Sequence, residues 1–294
     1  MTGKNIWQLP RRIASRIRRT LVSEEKRIAS DQRRGLKKQP AVTMGDGSRL
    51  REVSATDITS MMASPELIAD WEEVEAIVTA TGNVPGLRSS SKRPTQFGLY
   101  FLVRRINAGS VLEIGTNIGC SAGFMGLALA RNHELGQSEI SRLVTVDQLD
   151  VNDESVNLWG QAGSPVSPAQ FVEKIGCRDI VEFVAARSVD YLRTCTETFD
   201  FIFLDGSHDA WDVYQELPEA LRLVNDGGVV ALHDYNPLYG AWEPIDRMIP
   251  GPFLAVQRFL DEGTRFRVLP VVVPWWPNED APRPLNLVLL TKDL

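Results

Sequence analysis

The chain has 294 residues, 43% of them hydrophobic and 24% charged, enough to bury one substantial core and carry an appendage. No apolar run approaches the ~18 residues of a membrane span, and no charged-then-apolar leader opens the chain, so a soluble cytoplasmic protein is expected. Residues 1–40 hold 12 Lys or Arg against 3 acids, about +9, which leaves about −15 on the remainder of a chain whose net charge is −6; an acidic body excludes a general nucleic-acid binder, whose working face is basic.

In the basic head, Ile13, Ile17 and Leu21 recur every four residues among Arg11, Arg12, Arg16, Arg18 and Arg19, an amphipathic helical pattern. A partner subunit, an anionic membrane surface or the body of the same chain would cover that stripe; otherwise it is a solvated arm. Residues 41–60 read as a linker. From Pro65 to Ala80 a helix is expected, with Leu67, Ile68, Trp71, Val74, Ile77 and Val78 on one face. The turn-rich stretch Gly82 to Thr95 reads as a loop over a ligand or a plain connector, and Gln96 to Ile106 as a second helix. The predicted division is therefore an extension and linker over 1–60 and a catalytic domain over 61–294, with helical lid elements in 61–95.

Val111 to Ile114 is a short apolar strand that breaks into Gly115-Thr116-Asn117-Ile118-Gly119-Cys120-Ser121 and then a helix from Ala122. Glycines let such a loop turn sharply and approach a ligand, while the helix start offers free N–H groups to an anion. Asn117 stands where a dinucleotide fingerprint needs its second glycine, which argues against a nicotinamide cofactor. Four further strands follow. Leu143 to Asp147 ends in an acid, and Ile180 to Ala185 leads into Ala186-Arg187-Ser188 after an irregular insertion over Asp150 to Asp179. Phe199 to Leu204 runs into Asp205-Gly206-Ser207-His208, and Gly228 to His233 runs into Asp234-Tyr235-Asn236. Acids at the carboxyl ends of parallel strands face one crevice in open α/β sheets. The alternation of the last of these strands points His233 away from Asp234, towards packing. Phe253 to Leu260 is a helix, and Phe266 to Val273 with Leu285 to Thr291 are late strands. Cys120, Cys177 and Cys195 have no metal or redox spacing and read as reduced packing thiols. Trp159, Trp242, Trp275 and Trp276 would pack or line a flat pocket.

Glu113, two residues before Gly115, resembles motif I of the class I S-adenosylmethionine-dependent methyltransferases. The pair Leu204-Asp205-Gly206-Ser207-His208-Asp209 and Gly227-Gly228-Val229-Val230-Ala231-Leu232-His233-Asp234-Tyr235 is similar to the small-molecule O-methyltransferase branch with catechol-type, macrolide-sugar and cephalosporin-tailoring members. The likeness runs from about Gln96 to Leu294. It implies a Rossmann-like α/β fold: a seven-stranded, mostly parallel sheet with helices on both faces, a closing antiparallel hairpin and, here, an N-terminal helical extension. It implies that S-adenosylmethionine is held by Glu113, Gly115, Thr116, Asn117, Gly119, Ser121, Asp147, Arg187, Ser188 and Asp205. A magnesium ion on Asp205 and Asp234 would bind the acceptor oxygens, although Tyr235 stands before Asn236 where catechol-type enzymes place asparagine, and Ser207 where some sugar enzymes carry an acid. Without a metal, His208 is the candidate general base. The expected reaction is methylation of a hydroxyl on a small natural-product, sugar or catechol-like acceptor. The competing readings are a nucleotide-cofactor oxidoreductase and a non-catalytic scaffold. A homodimer through the extension is the expected assembly.

Overall fold

The structure, a computed structural model, describes residues 26–43, 47–81, 93–235, 249–273 and 283–292. The stripe Ile13, Ile17 and Leu21, most of the loop over Gly82 to Thr95, Asn236, Trp242, Trp275 and Trp276 lie outside the described residues.

Seven strands form one sheet: β1 (Ser110–Ile114), β2 (Arg142–Asp147), β3 (Val181–Ala185), β4 (Phe199–Leu204), β5 (Val224–His233), β6 (Arg267–Val273) and β7 (Arg283–Thr291). Their order is β3-β2-β1-β4-β5-β7-β6, parallel through β5, with β7 inserted antiparallel between β5 and β6. The parallel strands are apolar along their length because both faces are covered. Val111, Leu143, Phe201 and Ala231 point into one core, and their neighbours Leu112, Val144, Ile202 and Leu232 into the other.

The described helices are α1 (26–37), α2 (Ala55–Met62), α3 (Pro65–Ala80), α4 (Arg93–Arg105), α5 (Cys120–Glu134), α6 (Leu158–Gln161), α7 (Pro168–Lys174), α8 (Ser188–Thr194), α9 (Ala210–Leu223) and α10 (Gly251–Asp261). On the first face Trp71 of α3 is wedged between Phe97 and Tyr100 of α4 and Phe124 of α5, with ring centroids 5.1–5.8 Å apart. Arg104, buried in α4, donates to Asp70 of α3 at 2.8 Å and to Asn132 of α5, so an ion pair ties the same three helices. The segment expected to act as a lid thus has its middle in the core. On the second face α9 and α10 pack together, and Arg258 lies over the Tyr214 ring while donating to the carbonyls of Leu36 and Gln39.

The stretch expected to be a linker is attached along much of its length. Leu50 bridges Gly228, the Arg51 N–H donates to the Gly228 carbonyl at 2.8 Å, and the Val53 N–H donates to Thr291 Oγ1 at 3.1 Å. The donors are backbone N–H groups of the segment itself, which leave no mark in its side-chain pattern. The irregular insertion contains the two short helices α6 and α7, the latter opened by a reciprocal Ser167–Gln170 capping box.

Candidate active site

β1 has β2 on one side and β4 on the other, so the loops leaving β1 and β4 diverge and open a crevice at the carboxyl edge of the sheet. The backbone of the first loop is special. Gly115 has φ +103°, and a Cβ there would sit 2.3 Å from the carbonyl oxygen of Asp205. Gly119 has φ +75°, with a Cβ placed 2.8 Å from Pro168 of the insertion. Only glycine allows the β1 loop to pass this close to the β4 loop and to α7.

Two cavities share this crevice. One, of about 480 Å³, lies between the ends of β1, β2, β3 and β4 and is lined by Asp147, Arg187, Ser188 and Ser207. The other, of about 340 Å³, lies towards β5 and α4 and is lined by Thr116, Ser121, Phe203 and Asp234. Gly115, Asn117, Asp205 and His208 border both. The crevice is therefore one trough with two ends and the glycine loop between them.

Of the residues expected around a cofactor, Gly115, Thr116, Asn117, Ser121, Asp147, Arg187, Ser188 and Asp205 line this trough. Glu113 and Gly119 line neither cavity. Glu113 is fully buried and accepts hydrogen bonds from Ser121 Oγ and, at 2.5 Å, from Thr145 Oγ1, which itself meets Thr116 Oγ1 at 2.6 Å. Burial pushes its pKa up to about 8, against the two hydrogen bonds and with the help of the Asp205 and Asp147 charges. Its place is beneath the loop. Asp147 Oδ2 accepts from the Asn117 N–H at 3.0 Å, so the acid ending β2 also pins the loop. Ser188 donates to Glu216, another buried acid, which burial raises to about 7.

At the other end, Asp205, His208 and Asp234 line the same cavity. His208 is half exposed, with Nδ1 3.6 Å from Asp234 Oδ2. His233 departs from its expected packing role: its Nδ1 lies 2.9 Å from Asp205 Oδ1 and 3.4 Å from Asp234 Oδ1. Strict alternation fails because Asp234 has φ +53°, outside the extended region, so the chain turns at the strand end and brings both side chains to one side. Burial disfavours charge on this imidazole, but the two carboxylates outweigh it and hold its pKa well above the ordinary value. Asp205, His233 and Asp234 each offer one donor atom within 4.8 Å of the others. With His233 Nδ1 shielded from solvent and making no hydrogen bond, this set fits a divalent cation.

Asn286 of β7 also lines the second cavity, and its Oδ1 is shielded without a hydrogen-bond partner. Sequence reasoning missed it, although a lone carboxamide in the apolar run Leu285 to Leu290 is the signal that finds it.

Residues 112–235 match a family model described as a methyltransferase domain. No curated protein matches the chain in sequence. Among solved structures, the O-methyltransferase TomG from Streptomyces achromogenes, in complex with SAM, is 21% identical over 76% of this chain and 90% of its own, at a TM-score of 0.48. The O-methyltransferase from Bacillus cereus in complex with SAH is 22% identical over 76% and 91%, also at 0.48. PaMTH1 from Podospora anserina, bound to SAH, is 19% identical over 79% and 89%, at 0.45.

Proposed function

We propose that this methyltransferase domain moves the methyl group of S-adenosylmethionine onto a hydroxyl oxygen of a small molecule. The observation that carries the reading is the two-ended trough, with hydrogen-bonding groups at one end and a carboxylate–imidazole cluster at the other. The nucleoside belongs at the first end. Asp147 can accept from both ribose hydroxyls, Arg187 and Ser188 border the base, and the methionine part crosses the glycine loop formed by Gly115, Thr116 and Asn117. The sulfonium then faces Asp205 and His208, where a negative field suits a positive sulfur.

The acceptor enters the second cavity. Its oxygen attacks the methyl carbon in line as the sulfur–carbon bond breaks, releasing S-adenosylhomocysteine, and its proton must leave. His208 takes that proton on Nε2, since Nδ1 faces Asp234, which orients the ring. A divalent ion held by Asp205 and Asp234, if bound, would lower the pKa of the acceptor hydroxyl. Holding the acceptor in line contributes in either case, because the methyl donor is already activated.

Two coarser features belong to this reading. Three cysteines that form no disulfide among the described residues support a reducing, cytoplasmic setting. The apolar stripe Ile13, Ile17 and Leu21 in a basic extension, beside an acidic body, supports a homodimer built through the extension.

Calorimetric titration of S-adenosylmethionine and S-adenosylhomocysteine into the protein tests the core of the proposal. Saturable binding of both, followed by methyl transfer to a hydroxylated acceptor from a panel, is the expected result. Failure to bind either would remove the methyltransferase reading and favour a scaffold.

A further inference from the structure

The imidazole of His233 has no place in the proton transfer assigned to His208. Its Nδ1 is shielded from solvent and makes no hydrogen bond, yet it stands 2.9 Å from one carboxylate oxygen and 3.4 Å from another. A proton on that nitrogen pairs it with the two carboxylates, and a divalent cation in the proton's place would meet the same three donors. Asp234 is held beside it in a left-handed conformation that is uncommon for a residue with a Cβ, a feature that gathers at functional sites. One nitrogen and two oxygen donors therefore converge at the ends of two neighbouring strands, within 4.8 Å of one another.

The donor set discriminates between cations. Mg2+ is a hard ion that prefers oxygen and keeps several waters. An imidazole gives less to Mg2+ than to first-row transition ions, whose affinity for mixed nitrogen and oxygen sites rises from manganese towards copper. We propose that His233 Nδ1 is a third metal ligand beside Asp205 and Asp234, and that this nitrogen makes the site prefer a first-row transition ion to Mg2+. The site stands on its donors alone; only its consequence for turnover rests on the methyltransferase reading.

Full-length protein stripped with a chelator is titrated by calorimetry with Co2+ and, separately, with Mg2+. The expected result is one Co2+ per chain, bound at least about tenfold more tightly than Mg2+. His233→Asn should weaken Co2+ binding by at least about tenfold and narrow that preference, with S-adenosylhomocysteine binding intact as evidence of a folded trough. Because His233 is largely buried, the wild type supplies a second readout: bound Co2+ should shift an exchangeable imidazole N–H proton resonance far outside the ordinary range. No bound Co2+, equal affinity for the two ions, an unaffected His233→Asn variant, or a Co2+-loaded wild type lacking the shifted resonance would each overturn the inference. Loss of S-adenosylhomocysteine binding with Co2+ binding intact would instead sink the methyltransferase reading and leave the metal site standing.

Discussion

Glu113 carries a proton where most glutamates carry a charge, and the consequence is a pH dependence of stability with an unusual sign. Its carboxyl titrates near 4.5 when exposed and near 8 beneath the loop. Between those values the folded state holds a proton that the unfolded chain has released, so this residue's contribution is whole below 4.5 and is lost as pH rises towards 8. Glu113→Gln, neutral at every pH, should therefore show a flatter melting temperature than the wild type between about pH 5 and 8. A parallel decline in the two proteins would mean that Glu113 is not the source. His208 is argued at the same scale. His208→Gln should lower kcat by about 100-fold or more while changing the Kd of S-adenosylhomocysteine far less, as expected of a general base that acts in the transition state. Asn286 lines the second cavity with a carboxamide oxygen that has no hydrogen-bond partner, so if the acceptor binds there as proposed, Asn286→Leu should raise its KM more than it lowers kcat. An equal effect on both constants would point to a role in the transition state instead.

At the scale of elements, α3 was expected among the lid elements and residues 41–60 as a linker, and Trp71, Arg51 and Val53 make contacts with the body of the domain. Trp71 is 4% exposed and contacts three aromatic rings from α4 and α5. Trp71→Ala should cost about 3–5 kcal/mol in urea denaturation, the range for emptying a large aromatic from a core. A loss below about 1 kcal/mol, with altered ligand binding, would restore the lid expected for this segment. The helix itself was predictable to its ends: Ser64 caps it through the Leu67 N–H, Pro65 begins it, and the apolar positions follow at helical spacing. Its partner surface was not, because periodicity says which face is buried and not against what. The same limit explains the Arg51 and Val53 strap, whose anchors on Gly228 and Thr291 lie far away in sequence.

For the whole molecule, the basic extension divides into an undescribed part and the docked helix α1, whose Leu36 is buried against the second core. Removing residues 1–40 would therefore strip core contacts together with any dimer contacts. Removing residues 1–25 alone separates the two. If the Ile13, Ile17 and Leu21 stripe joins two copies, this shorter deletion should halve the mass measured by light scattering while the melting temperature holds; an unchanged mass would exclude a dimerising arm. The acidic body has a second consequence at this scale, since its self-repulsion should oppose association more strongly at low salt.

The order of strands and helices, the glycine loop and the acids at three strand ends were legible in the sequence, because apolar runs, glycine and capping residues act over a few neighbours. Gly115, Asp147, Asp205 and Asp234 could be named from the glycine loop, the strand ends and the family resemblance together. What spacing could not supply is which polar groups meet. Glu113 could be assigned to the loop but not to its buried side, a distinction made by Thr145 on the adjacent strand. His233 was misjudged because period-two alternation assumes extended backbone, and Asp234 leaves that region at the strand end. Asn286 belongs to β7, which enters the sheet between β5 and β6 and so reaches the cavity only through the antiparallel pairing. Local chemistry wrote the elements and the loop into the sequence; the trough and its carboxylate–imidazole cluster exist only where the sheet brings distant strand ends within hydrogen-bonding and ion-pairing range.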